Sequence, residues 1–354
     1  MPTSGEGSSR KKRLLTILTI VLSTMLCFVL TEFLLRVGHV YQTGFERNEG
    51  RYKSFYKSPY TSHYPVLPKT YRMSVTPEFS YPVSVNSLGF LGGEWPRIKA
   101  KWKRILVLGD SFTEGIGAPA DSSWPFLLEK MLNSDSVFAE VFNAGVSGSD
   151  PVFQNRLFQH KLVSYLPEMV VMTINFSDIH EIITRGGEKR FRANGQVVFN
   201  SSPAWEPLYQ WSYFFRFMIH TIFRYDFSLL SPQEYAIRSE EAVREIIHQA
   251  YSLHQFCKEK NTGFTVVIHP YLDPYDAFLR QQDILGKVDS GLRNQGVQII
   301  NLFSPFRDKV NKTNYKQYAW PVDKHYNSRG YAMFARFVAD SLRPFLMLVP
   351  DEGK

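Results

Sequence analysis

An open parallel β-sheet with helices on both faces, preceded by one membrane-spanning helix, is the architecture this chain predicts. Two patterns carry the expectation. From Lys103 onward short apolar runs alternate with stretches of helical period, and an uncharged stretch, Leu14 to Thr31, stands near the N-terminus. The composition agrees: 354 residues, 44% hydrophobic and 21% charged, describe a globular chain and exclude disordered, collagenous and multi-span membrane classes.

Taken in order, residues 1–13 are a basic N-terminus ending in Arg10-Lys11-Lys12-Arg13. Residues 14–36 read as a transmembrane signal anchor, because a helix rising ~1.5 Å per residue needs about this length to cross a hydrocarbon core of ~30 Å. The basic cluster predicts a cytoplasmic N-terminus, with everything after about residue 37 in the periplasm or outside the cell. A cleaved signal peptide would have a shorter apolar region ending in small residues, whereas this one closes on Thr31-Glu32-Phe33-Leu34. Residues 37–100 form a stalk and irregular lead-in rich in Tyr and Pro (Tyr60, Tyr64, Pro65, Pro68, Tyr71), with no sustained period.

Residues 101–347 carry the strand and helix alternation. Buried strands are expected at Ile105–Leu108, Val137–Phe142, Met169–Ile174, Phe264–His269 and Val297–Leu302. Helices are expected at about 123–133, 151–165, 233–259, 274–293 and 328–346. Two carry start signals: Ser231-Pro232-Gln233-Glu234 is a capping serine with proline at the first helical position and glutamate three residues after the cap, and Asp150-Pro151 is similar. An aromatic-rich insertion at about 184–230 interrupts the alternation; its aromatic and arginine content suits an active-site cover, a membrane interface, a sugar-stacking platform or a packed subdomain.

Charge and cysteine content narrow the chemistry. The formal charge is +8, but outside residues 1–36 there are 36 Lys/Arg against 31 Asp/Glu, too small an excess to argue for nucleic acid. Cys27 and Cys257 supply neither a disulfide framework nor a CxxC metal site. Ligands in an open parallel sheet bind at the carboxyl ends of the strands, so functional residues are expected in the loops there. Gly109-Asp110-Ser111 follows the first strand and puts a serine hydroxyl in such a loop. Its base is expected in Asp323-Lys324-His325, just before the last helix, where the aspartate orients one imidazole nitrogen and the other faces the serine. His180, His269 and Asp273 also follow strands and are read as structural or substrate-side residues.

These blocks resemble the SGNH hydrolases, the GDSL esterase/lipase family, and among them the membrane-anchored bacterial envelope members, over roughly residues 84–345; Val85-Asn86-Ser87-Leu88-Gly89-Phe90 resembles the segment that often precedes the serine block. The resemblance implies a three-layer α/β/α flavodoxin-like parallel sheet. It implies Ser111 as nucleophile, His325 as base and Asp323 as its partner. In Asn143-Ala144-Gly145-Val146-Ser147-Gly148 it matches Gly148 to the glycine whose amide joins that of Ser111 in the oxyanion hole. The third block departs from the family: where Gly-x-Asn-Asp is usual, this chain has Asn175-Phe176-Ser177-Asp178. Either Ser177 supplies the third donor, or Asn175 does, or the hole has two donors.

The function so implied is a serine esterase, deacetylase-like, acting on ester-linked acyl groups of envelope glycans or lipids and needing no metal or organic cofactor. Two other readings stand beside it. One is an O-acetyltransferase partnered with a multi-pass membrane acyl donor. The other is a catalytically inert glycan-binding or assembly module, against which the preserved serine, histidine and aspartate argue.

Overall fold

The computed structural model describes residues 5–42, 70–75, 77–98, 102–135, 137–272 and 278–348. Tyr60, Tyr64, Pro65, Pro68 and Asp273, and the first residues of the helix expected at 274, lie outside them. In chain order the elements are α1 (Gly5–Val37), β1 (Thr70–Val75), β2 (Phe79–Ser84), β3 (Lys103–Gly109), α2 (Ser111–Glu114), α3 (Trp124–Ser134), β4 (Ala139–Gly145), α4 (Pro151–Leu157), β5 (Met169–Ile174), α5 (Phe176–Arg185), α6 (Glu206–Trp211), α7 (Tyr213–Phe217), α8 (Pro232–Glu259), β6 (Gly263–Ile268), α9 (Phe278–Arg293), β7 (Gln298–Asn301), α10 (Phe303–Lys309) and α11 (Ser328–Leu348). They fall into two compact units, Met1–Ser54 with Ser202–Tyr235, and Phe55–Ser201 with Ala236–Lys354.

In the first unit α1 runs through the basic cluster and the apolar run as one helix. Its segment Ser9–Val37 is long and apolar enough to cross a membrane, and none of its apolar window is buried. Helices α6 and α7 pack with the last turns of α1: the Glu32 carboxylate accepts from the Ser212 hydroxyl at 2.9 Å and from the amides of Tyr213 and Phe214 at 3.0 and 2.8 Å. Those amides are among the donors that the start of a helix leaves without intrahelical partners.

The second unit is built on a five-stranded parallel sheet in the order β4-β3-β5-β6-β7, the doubly wound arrangement with its switch point between β3 and β5. Ile105–Leu108 of β3 and all of β5 are buried, as strands covered on both faces must be. The fold class is therefore the three-layer one read from the alternation. Asp150 caps α4 by accepting from the Phe153 amide at 3.0 Å, and Ser231 exchanges hydrogen bonds with Glu234 at the start of α8. The helix expected over 151–165 is shorter: α4 stops at Leu157, and the chain continues through a wide and then a tight turn to Leu166 in the left-handed region, φ 51°. Pro167 follows and cannot donate to a continued helical ladder.

Two segments depart from the sequence reading. The lead-in holds a β-hairpin, β1 paired antiparallel with β2 from Thr70↔Ser84 to Val75↔Phe79. Its alternation is real but short: Tyr81 and Val83 point inward to a small cluster with Val85 and Leu91, while Ser80, Pro82 and Ser84 face out. The stretch read as one insertion from 184 to 230 is divided. Residues to Ser201 belong to the second unit, where Arg190 makes a bidentate pair with Asp150 at 2.6 and 2.8 Å, both side chains fully buried. Residues from Ser202 cluster with α1.

Candidate active site

Each strand of the sheet delivers a loop to one edge. After β3, Asp110 caps the short helix α2 by accepting from the Phe112 amide at 2.9 Å, which leaves Ser111 as its first residue. The His325 Nε2 lies 2.6 Å from the Ser111 hydroxyl, and its Nδ1 lies 2.6 Å from the Asp323 carboxylate. Serine, histidine and aspartate, 214 positions apart at the extremes of the first contact, thus form one hydrogen-bonded chain. Phe112 packs against the imidazole at 4.7 Å between ring centres.

The loop bearing His325 is shaped by backbone. Ala319 and Tyr326 form a bridge across its base, Lys324 donates to the Trp320 carbonyl at 2.8 Å, and Trp320 donates to that of His325 at 2.9 Å. Lys324 sits in the left-handed region at φ 77°, a conformation an L-residue holds at a cost of about 1 kcal/mol or more. The loop is also held from outside. Glu78, in the turn joining β1 to β2, accepts from the amides of Val322 and Asp323, both at 2.7 Å. Tyr81 accepts from the Gly117 amide at 2.9 Å, and Trp320 donates to the Gly117 carbonyl at 2.7 Å. The hairpin therefore braces both the serine and the histidine loops. Nothing in the sequence announces Glu78, because it meets its partner across 245 positions.

Close backbone approach supports the second block. A Cβ on Gly145 would lie 2.1 Å from the Glu114 amide nitrogen, so only glycine lets β4 pass α2 at this distance. The buried Glu114 carboxylate then accepts from both the amide and the hydroxyl of Ser147, the amide at 2.8 Å. Burial raises its pKa, and the Ser147 bonds offset only part of that. Asn143 accepts from the Gly145 amide at 3.0 Å and serves the turn. Gly148 follows at φ 70°. Neither its amide nor that of Ser111 meets a hydrogen-bond acceptor among the described residues.

In the third block the side chains turn to Asp110. Asn175 donates to the Asp110 carboxylate at 2.9 Å, and the Ser177 hydroxyl lies 3.0 Å from the same oxygen and 2.8 Å from the Asn175 carbonyl oxygen. Asn175 also caps α5, in a reciprocal box with Asp178. Ser177 spends its one proton inside this network, with the Tyr271 hydroxyl as a further partner, while Asn175 has a second amide hydrogen beyond the one given to Asp110. Asp110 thus acts as a hub between the first and third blocks, a role visible in the sequence only as part of Gly109-Asp110-Ser111.

Of the other histidines, His269 is fully buried behind Phe112, 5.1 Å between rings, and 3.4 Å from the Tyr326 hydroxyl. Burial pushes its pKa down to about 4, so it is neutral at pH 7. His180 lies on α5, where its carbonyl accepts from the Thr184 hydroxyl at 2.9 Å.

No protein-family model matches the chain, and no curated protein sequence matches it. Solved structures do. A two-domain esterase active on acetylated mannans is 12% identical over 71% of this chain and 51% of its own, with a TM-score of 0.41. An acetylxylan esterase from Geobacillus stearothermophilus is 14% identical over 70% and 95%, TM-score 0.41, and a GDSL-like lipase from Bacteroides thetaiotaomicron 12% over 71% and 93%, TM-score 0.40. The chain spans about half the length of the two-domain esterase.

Proposed function

We propose that the protein is a serine esterase that removes ester-linked acyl groups, deacetylase-like, from envelope glycans or lipids, held by α1 on the membrane face opposite its basic N-terminus. The observation that carries this reading is the unbroken hydrogen-bonded chain from Ser111 through His325 to Asp323 beside two amides that meet no acceptor among the described residues. The Ser111 oxygen attacks the acyl carbonyl while its proton passes to His325 Nε2, and Asp323 holds the Nδ1 proton and stabilises the imidazolium. The amides of Ser111 and Gly148 receive the tetrahedral oxyanion, with the second amide hydrogen of Asn175 as third donor. Collapse returns the proton from His325 to the leaving alcohol. A water, deprotonated by the same imidazole, then releases the carboxylic acid and restores Ser111.

The test is fluorophosphonate labelling and p-nitrophenyl acetate turnover of the full chain in detergent, beside Ser111→Ala and His325→Ala. Loss of label and turnover in Ser111→Ala, with turnover down at least ~10³-fold in His325→Ala, is the expected result. A folded wild-type protein with neither signal would overturn the reading.

A further inference from the structure

The unit formed by α1 and residues 202–235 exposes a set of large apolar side chains that the esterase chemistry does not use: Leu208, Trp211, Ile222, Phe223 and Phe227, with Trp211 83% exposed. Patches of this kind on soluble surfaces mark interaction sites. What covers this one follows from where it is tied.

The ties described run to the last turns of the apolar helix and to the turn that follows it. Glu32, the first charge after the uncharged run, caps α7. Arg36, one turn later, donates to Glu32 at 2.8 Å and to the Trp211 carbonyl at 2.8 Å, and its guanidinium lies 4.9 Å from the centre of the Tyr213 ring. Phe28, one turn before Glu32 and inside the uncharged run, meets Phe214 edge to face at 5.0 Å. The Tyr41 hydroxyl reaches that of Thr221 at 2.8 Å.

A rise of ~1.5 Å per residue puts Phe28 about 6 Å deeper along the helix than Glu32. With α1 spanning a bilayer, Phe214 is carried to the level of the acyl chains just below the headgroups, and the Trp211 backbone to the level of Arg36. That boundary is where aromatic rings and arginine are stable together, the ring bodies in the apolar layer and the cations toward phosphate. The polar groups at this join are paired within the protein: Glu32 answers the amides of α7, and Arg36 answers both Glu32 and the Trp211 carbonyl.

The geometry points to a lipid surface as the partner of this face: residues 202–235, braced by the last turns of α1, form a collar seated in the headgroup boundary, with the Trp211 ring entering the acyl layer. This rests on the reading of α1 as a membrane span, and the experiment reads the two separately. Full-length protein is reconstituted in phosphatidylcholine and phosphatidylglycerol vesicles, with and without acyl-chain-brominated lipid. Emission from Trp211 is taken as the difference between wild type and Trp211→Phe, with aqueous iodide as the opposing quencher. Cys27, beside Phe28 inside the uncharged run of α1, is probed with a membrane-impermeant maleimide, and the buried Cys257 serves as the internal control that reacts only on unfolding.

The expected result is protection of Cys27, with Trp211 emission lost in brominated bilayers and unaffected by iodide. Protected Cys27 with Trp211 emission lost to iodide and indifferent to bromine would leave the span standing and overturn the collar. Indifference to both quenchers would assign the face to a protein partner and equally overturn it. Labelled Cys27 in intact vesicles would remove the span and the collar together.

Discussion

Ser177 and Asn175 share one acceptor, Asp110, and that sharing sets what each can contribute. Removing the Ser177 hydroxyl leaves Asp110 with its bonds from Asn175 and the Phe112 amide, so Ser177→Ala should lower kcat less than about tenfold, far short of the ~10² to 10³ that a true oxyanion donor costs. Asn175→Ser keeps a capping oxygen for α5 but loses the amide hydrogens, and kcat should fall by roughly 10² or more with little change in KM. Steady-state kinetics on both variants, with thermal unfolding to separate folding from chemistry, decide between a third donor at Asn175 and a two-donor hole. Glu78 offers a second case at this scale. Replacing it by alanine leaves the amides of Val322 and Asp323 without their acceptor, and a penalty of ~1–3 kcal/mol falls on the loop that orients His325. The expected loss in kcat/KM is about tenfold, partly recovered in Glu78→Gln, which still offers one carbonyl oxygen.

At the scale of elements, the site depends on how closely strands and helices pass. Gly145 lets β4 lie against α2, and Gly145→Ala must push the two apart. Overpacking of this kind costs about 1–3 kcal/mol and here would also displace the Glu114 clasp on Ser147, so activity and stability should fall together. The start of α4 is pinned by Asp150. Burial alone would raise the pKa of that carboxyl, but Arg190 and the Phe153 amide outweigh it and hold it low. Arg190→Ala would strand a buried carboxylate, and urea unfolding should show a loss of ~3–5 kcal/mol. Much of this level was readable beforehand. The caps at Asp150 and Ser231, and the strands at Ile105–Leu108 and Met169–Ile174, follow from local pattern because their signals lie within a few residues. The hairpin β1/β2 was not readable, because its two short alternations are interrupted by a turn and by Pro82.

The whole molecule adds a dependence on pH. His269 is neutral in the fold, its pKa lowered from 6.5 to about 4 by burial. The unfolded chain therefore binds more protons between those values, so stability from this group is complete above about pH 6.5 and is lost as pH falls toward 4. A shift of this size corresponds to about 3 kcal/mol at full loss. Asp178 and Glu181 act in the opposite sense: burial and neighbouring carboxylates raise both, so their protonated forms favour the fold and stability declines as pH rises above the ordinary carboxylate range. Urea unfolding of wild type and His269→Asn from pH 7 to 4 should show the wild type losing more stability on acidification than the variant. An equal loss in both would mean that His269 is hydrated and titrates normally.

The sequence by itself determined the layered α/β class and the uncharged run near the N-terminus, because periodicity and helix starts are written over short distances, and it marked Ser111, Asp323 and His325 as candidates through two short blocks, Gly109-Asp110-Ser111 and Asp323-Lys324-His325. Only the tertiary structure decided that Asp110 gathers Asn175 and Ser177, that Glu78 holds the histidine loop, and that residues 202–235 attach to the end of α1. Each of those is a contact between segments tens to hundreds of positions apart, such as Glu32 with Phe214 across 182. The energy of such a contact depends on chain folding that brings the two ends together, and no local pattern encodes the distance.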